Sequence, residues 1–191
     1  PAFNCPVVTT LQFMFGNCYS AKKIGKITTT SLLTNCISLY QSCRSLQTVE
    51  PPTVTTNVTN FTNMFYDCAS LTEIPLFTTS AGTNFTEMFR GCITLQTVPA
   101  FVVTLGETFT GMFNGCTNLE TVPSLDTVAG TVFTSMFTGC KKLQTIGGLV
   151  FTGTPTLTTM FTTCTNLKII PAITISATAT PPTFSGLFSL Q

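Results

Sequence analysis

The sequence predicts an α/β solenoid, a right-handed superhelix of about eight rungs of 24–25 residues, each a short helix plus a short strand in a narrow parallel sheet. Three observations carry this expectation. Seven cysteines (Cys18, Cys43, Cys68, Cys92, Cys116, Cys140, Cys164) follow one another at steps of 25, 25, 24, 24, 24 and 24 residues. All six methionines (Met14, Met64, Met88, Met112, Met136, Met160) occupy a single position of the same unit. The block Phe61-Thr62-Asn63-Met64-Phe65-Tyr66-Asp67-Cys68 returns from Phe85 to Cys92, Phe109 to Cys116 and Phe133 to Cys140, with weaker copies ending at Cys18, Cys43 and Cys164.

The helix is expected in that block. Its apolar positions fall at i, i+3, i+4 and i+7 (Phe85, Met88, Phe89, Cys92), which is one face of a 3.6-residue period. Asn60, Asn84 or Thr108 stands where a cap belongs, and Gly91, Gly115 and Gly139 suit the helix end. The strand is expected in the pattern L-x-x-h-P-x-h that follows, as in Leu95, Val98, Pro99, Phe101. A Thr/Ser/Gly-rich turn such as Thr78–Thr83 then returns the chain to the next block. One unit cannot bury its own apolar face. Stacked units can, with Phe on Phe, Met on Met and Cys on Cys.

The rungs read 1–10 (partial), 11–35, 36–60, 61–84, 85–108, 109–132, 133–156, 157–183 and 184–191 (partial), all in one domain. The rung at 36–60 is degenerate: Cys36, Leu39 and Tyr40 take the Phe, Met and second Phe positions, and Pro51-Pro52 adds one residue. Gly147-Gly148 replaces the usual proline, which predicts a looser strand there. The chain opens and closes in mid-repeat, with an eighth unit beginning at Phe184-Ser185-Gly186-Leu187-Phe188. Solenoids normally carry polar terminal caps. The expectation is therefore a longer solenoid, or ends that self-associate or meet flanking domains.

The motif M-F-x-G-C-x-x-L-x-x-h-P resembles the BspA-like leucine-rich repeats, especially the variant common in mycoplasma surface proteins and phage-encoded proteins. It spans nearly the whole chain. The chain departs from the commonest variant in having few Asp and many Thr residues. The resemblance implies a leucine-rich-repeat-like fold, surface exposure, adhesion and host contact.

Composition narrows the function. Hydrophobic residues make up 43% and charged residues 8%, and about one residue in five is Thr. Formal charge is +1 with no basic run longer than Lys22-Lys23 or Lys141-Lys142, so a nucleic-acid partner lacks its electrostatic footprint. No apolar run has the length of a membrane-spanning helix. His is absent, which removes the commonest general base and every His-containing triad. The carboxylates (Glu50, Asp67, Glu73, Glu87, Glu107, Glu120, Asp126) are sparse, and only Glu73 and Glu120 share a strand region. No enzyme activity, cofactor or metal is expected; zinc would want His or C-x-x-C.

The seven periodic cysteines are expected to form a buried ladder of free thiols. Successive rungs lie about 5 Å apart with parallel side chains, whereas a disulfide needs Cβ atoms about 3.8 Å apart. Cys5 and Cys36 stand outside that register. The sequons Asn57-Val58-Thr59, Asn60-Phe61-Thr62 and Asn84-Phe85-Thr86 are largely by-products of the repeat.

Two outward rows are the candidate ligand-binding face. One reads Lys23, Thr48, Glu73, Thr97, Thr121, Thr145, Ile169; its neighbour reads Lys22, Gln47, Thr72, Gln96, Glu120, Gln144, Lys168. Hydroxyl and amide groups in ranks suit a host-surface protein or a glycan. A further row, Thr62, Thr86, Thr110, Thr134 and Thr158, is expected to serve local backbone bonding. The expected function is a non-enzymatic extracellular recognition module on a virion, a phage tail or a cell surface, with a structural spacer or coat element as the alternative.

Overall fold

The computed structural model describes residues 2–151 and 154–169, and the backbone of 173–175. The expected eighth unit at Phe184–Phe188 lies outside the described residues. Parallel bridges join Thr10, Asn35, Asn60, Asn84, Thr108, Val132 and Thr156 in a single file, so seven successive rungs stack in the register read from the cysteines.

The regular strands are short: β1 (Phe3–Asn4), β2 (Lys23–Ile24), β3 (Ile27–Thr28), β4 (Thr48–Val49), β5 (Thr121–Val122), β6 (Thr145–Ile146), β7 (Leu149–Phe151) and β8 (Ile173–Ile175). They pair in parallel as β1–β3, β2–β4, β5–β6 and β7–β8. Each pair joins neighbouring rungs, for example Thr121 to Thr145 and Leu149 to Ile173.

The expected helix is absent. Among the described residues no α-helix occurs, and the F-T-x-M-F-x-G-C block is a chain of tight turns. Its amides alternate between two kinds of partner. In the rung of Phe61, Met64 N–H donates to the Phe61 carbonyl, Tyr66 N–H to Asn63 and Cys68 N–H to Phe65. The intervening amides reach the next rung: Phe61 N–H donates to Asn84 O, Asn63 to Thr86, Phe65 to Met88 and Asp67 to Arg90. The remaining amide, Thr62 N–H, donates to Asn60 Oδ1 at 3.0 Å. Asn60 therefore caps the block as the sequence suggests, but caps a turn. Every N–H from Phe61 to Cys68 is satisfied, so nothing is lost by abandoning the helix.

Rung spacing is the physical reason. Phe61, Phe85 and Phe109 stack with ring centroids 5.5 Å apart and planes within 7°. Phe65, Phe89, Phe113, Phe137 and Phe161 form a second file at 5.4–5.5 Å. Helix axes pack about 8–10 Å apart, so helices cannot follow one another at this interval. Turns can, and they share their hydrogen bonds between rungs.

The turns require left-handed backbone at two positions per rung. One file holds Phe13, Ser38, Asn63, Glu87, Gly111, Ser135 and Thr159; the other holds Asn17, Ser42, Asp67, Gly91, Gly115, Gly139 and Thr163. The glycines expected to end helices do adopt positive φ (Gly91 74°, Gly115 75°, Gly139 78°), but as turn residues.

The core is the set of files the sequence implies. Met64, Met88, Met112, Met136 and Met160 are wholly buried, as are Leu71, Leu95, Leu119 and Leu143. At the start of the degenerate rung, Cys36 and, just before it, Leu33 of the preceding rung are both wholly buried, so a larger residue before the Phe position accompanies the smaller one in it. Thr55, Thr79 and Thr127 also point inward, each hydroxyl donating to a carbonyl of the next rung: Thr78 and Val102 at 2.7 Å, Val150 at 2.6 Å. The Thr62, Thr86, Thr110, Thr134 and Thr158 row serves the ladder through its carbonyls, which accept from Ser38, Asn63, Glu87, Gly111 and Ser135, rather than through its hydroxyls.

The rung with Gly147-Gly148 reverses the expectation of a looser strand. β6 and β7 both lie in it. Gly147 N–H donates to Val122 O at 2.8 Å, a bond that proline at the same position of other rungs cannot make. A Cβ on Gly147 would stand 2.1 Å from Ser124 N, so the close approach itself demands glycine.

Candidate recognition face

The structure places nearly all of the two rows at the surface. Gln47, Thr48, Thr72, Glu73, Gln96, Thr97, Glu120, Thr121 and Gln144 are exposed, and Thr145 is half-buried. The residue that follows each pair, Val49, Ile74, Val98, Val122 or Ile146, is buried. The first row is in register through Lys23–Thr48, Thr97–Thr121, Thr121–Thr145 and Thr145–Ile169.

Glu73 breaks the file. Among the described residues it is bridged to neither Thr48 nor Thr97. Among the described residues no backbone–backbone hydrogen bond involves any residue from Thr72 to Phe77. Two features of the chain converge there. Pro51-Pro52 lengthens the preceding rung by one residue, and Pro75 and Pro99 in consecutive rungs have no N–H to donate. Two grooves open beside the break. One, of about 320 Å³, is lined by Thr48, Val49, Glu73, Ile74 and Pro75. The other, of about 350 Å³, lies along Leu76–Ser80 and reaches Ala100 and Val102.

Charge on this face is light. Lys23 Nζ and Glu50 lie 3.8 Å apart, both largely exposed. Elsewhere Arg44 meets Asp67 at 3.8 Å, and Arg90 donates to Glu87. Both arginines of the chain also lie over tyrosine rings of the preceding rung, Arg44 over Tyr19 at 5.8 Å and Arg90 over Tyr66 at 5.6 Å. This pairing was missed from sequence, although the Tyr-to-Arg spacing equals one rung in each case. The exposed Leu76 and Val102 carry no such signal, because they lie beyond the prolines and outside the two polar rows.

The thiols are structural. All nine cysteines are free; six of the seven periodic ones are buried, and Cys18 is exposed. Each buried member donates its S–H to the carbonyl of the second aromatic position in the preceding rung: Cys43 to Phe15, Cys68 to Tyr40, Cys92 to Phe65, Cys116 to Phe89, Cys140 to Phe113 and Cys164 to Phe137, at 2.9–3.1 Å. Burial pushes Cys43 and Cys164 up to about 11 and the off-register Cys36 to about 12, and raises Cys68, Cys92, Cys116 and Cys140 well above the usual range. A thiol held protonated is a donor and a small hydrophobe rather than a nucleophile. Among the described residues no helix is long and apolar enough to cross a membrane.

Comparison with solved structures places the fold. The crystal structure of the T. pallidum leucine rich repeat protein (TpLRR) matches with a TM-score of 0.58 at 18% identity, over 87% of this chain and 77% of that one. A leucine-rich repeat protein from Bacteroides ovatus matches with a TM-score of 0.41 at 13% identity, over 92% and 69%. No curated protein matches in sequence. The family described as "Mycoplasma protein of unknown function, DUF285" matches twice, over residues 2–101 and 72–171. The solenoid is thus a leucine-rich-repeat fold, the resemblance to the BspA-like repeats is borne out, and the chain belongs to the DUF285 family.

Proposed function

We propose that the chain is a non-enzymatic recognition module that binds a host protein or glycan through its outward stripe, displayed outside the cell on a virion, a phage tail or a cell surface. One observation carries this reading: the exposed polar side chains of Gln47, Thr48, Gln96, Thr97, Glu120, Thr121 and Gln144 are ranked on a stacked scaffold. A rigid rank of hydroxyls and amides offers many weak contacts at a regular interval, which suits a repetitive or extended partner. The test is binding to host cells and to a glycan array by the wild type and by a Thr97→Lys/Thr121→Lys double variant. Retention of all binding by that variant rejects the stripe.

A structural reading has its own support. At the first complete rung Met14 and Cys18 are exposed, where their counterparts Met64 and Cys68 are wholly buried. That surface can receive a rung of another copy. Electron microscopy and sedimentation across a concentration series test it; strictly monomeric particles reject end-to-end assembly.

A further inference from the structure

We infer that the break in the ladder at Thr72–Phe77 is a docking site for an extended polypeptide segment that carries a basic side chain and, a few residues away, a bulky aliphatic or aromatic one. This deepens the recognition reading above and rests on it. Three observations meet at this place. The N–H groups of Thr72, Glu73, Ile74, Leu76 and Phe77, with the carbonyls between them, have no protein partner among the described residues. Buried or not, main-chain groups are obligatory hydrogen bonders, and water serves them until something better arrives. Second, the groove beyond them is aliphatic. Leu76 is 68% exposed and Val102 53% exposed, and the two line one groove together. Third, Glu73 stands in the other groove and, like Glu107, Glu120 and Asp126, forms no ion pair among the described residues.

These demands select a peptide. Donors and acceptors strung along an extended segment are matched by another extended main chain, in the manner of strand addition, where the backbone supplies affinity and side-chain pockets supply specificity. A carboxylate in one groove calls for Lys or Arg. An aliphatic groove next to it calls for Leu, Ile or Phe. Glu73 and Leu76 are three residues apart, so about 10 Å of extended chain separates the two pockets.

The probe is an array of acetylated, amidated octapeptides in a Thr/Ser background. Each carries one Lys or Arg and one Leu, Ile or Phe at separations of two to four residues. Hits are measured by fluorescence anisotropy against the full chain. The expected result is a subset that binds, whose affinity falls at least 10-fold in Glu73→Lys and in Leu76→Ser, and changes less than 2-fold in Lys141→Ala, an exposed position outside both rows. All three positions are on the surface, and a thermal melt confirms that each variant is folded. Absence of any binding peptide at millimolar concentration overturns the inference, as does binding indifferent to Glu73→Lys and Leu76→Ser. If host-cell or glycan binding survives those two substitutions but is lost in Thr97→Lys/Thr121→Lys, the recognition stripe stands and this site falls. If peptides bind here while the double variant binds cells normally, this site stands and the stripe falls.

Discussion

The Sγ of Cys116 lies 3.0 Å from the carbonyl oxygen of Phe89 in the preceding rung, and the same oxygen accepts the N–H of Cys92 within its own rung. Alternate carbonyls of each turn block accept from the amides of the preceding rung. The Phe89 carbonyl is one of the remaining set, and the thiol of the next rung completes its second lone pair. A side chain that is small, apolar and a weak donor fits this place.

Truncating the ladder tests that account. Cys116→Ala deletes one buried heavy atom and one weak hydrogen bond while leaving the Cys92 N–H on the Phe89 carbonyl. The expected cost is about 1–2 kcal/mol in urea unfolding. Cys18→Ala, at the exposed end of the file, is expected within about 0.5 kcal/mol of wild type.

The same burial makes stability depend on alkaline pH. The fold holds these thiols protonated, whereas the unfolded chain releases their protons from about pH 9 upward. Above that pH the unfolded state binds fewer protons than the native state, so stability falls as pH rises. The contribution is complete below pH 9 and is lost as pH climbs through about 11 to 12. Urea midpoints are expected to fall progressively above pH 9, less steeply in Cys116→Ala. An equal slope in that variant, or a flat profile to pH 11, contradicts the mechanism.

Two adjacent glycines separate close approach from mere flexibility. A Cβ on Gly147 meets Ser124 N at 2.1 Å, whereas the nearest atom to one on Gly148 is Ser124 Oγ at 3.8 Å. Gly147→Ala must push two rungs apart and is expected to cost about 2 kcal/mol or more, while Gly148→Ala stays within about 0.5 kcal/mol. Thermal melts of the two single variants decide it.

Left-handed backbone supplies an opposite pair. Thr163 holds φ at 58° with a β-branched side chain, in the file where Gly91, Gly115 and Gly139 stand. Left-handed backbone costs an L-residue about 1–2 kcal/mol, so Thr163→Gly is expected to stabilise by up to about 1 kcal/mol after the added freedom of the unfolded chain. Gly115→Ala meets nothing closer than 3.8 Å and is expected to destabilise by about 1 kcal/mol through φ alone. Chemical denaturation of both variants measures each sign.

Much of this molecule was legible without coordinates. A period of 24–25 residues, marked by Cys68, Cys92, Cys116 and Cys140, dictates which side chains stack, because like positions of a repeat recur at like places along one axis. Burial of the Met and Phe files from Phe61 onward and the unbridged thiols follow from that alone. The backbone of the turn block does not. Apolar spacing at i, i+3, i+4 and i+7 fits a helix and a run of tight turns alike, and the choice is made by the neighbouring rungs, whose 5.5 Å ring spacing admits turns and excludes helices. The gap at Glu73 is likewise a property of stacking: an extra residue in one rung and absent proline donors in the next two become a break only when the rungs are set side by side.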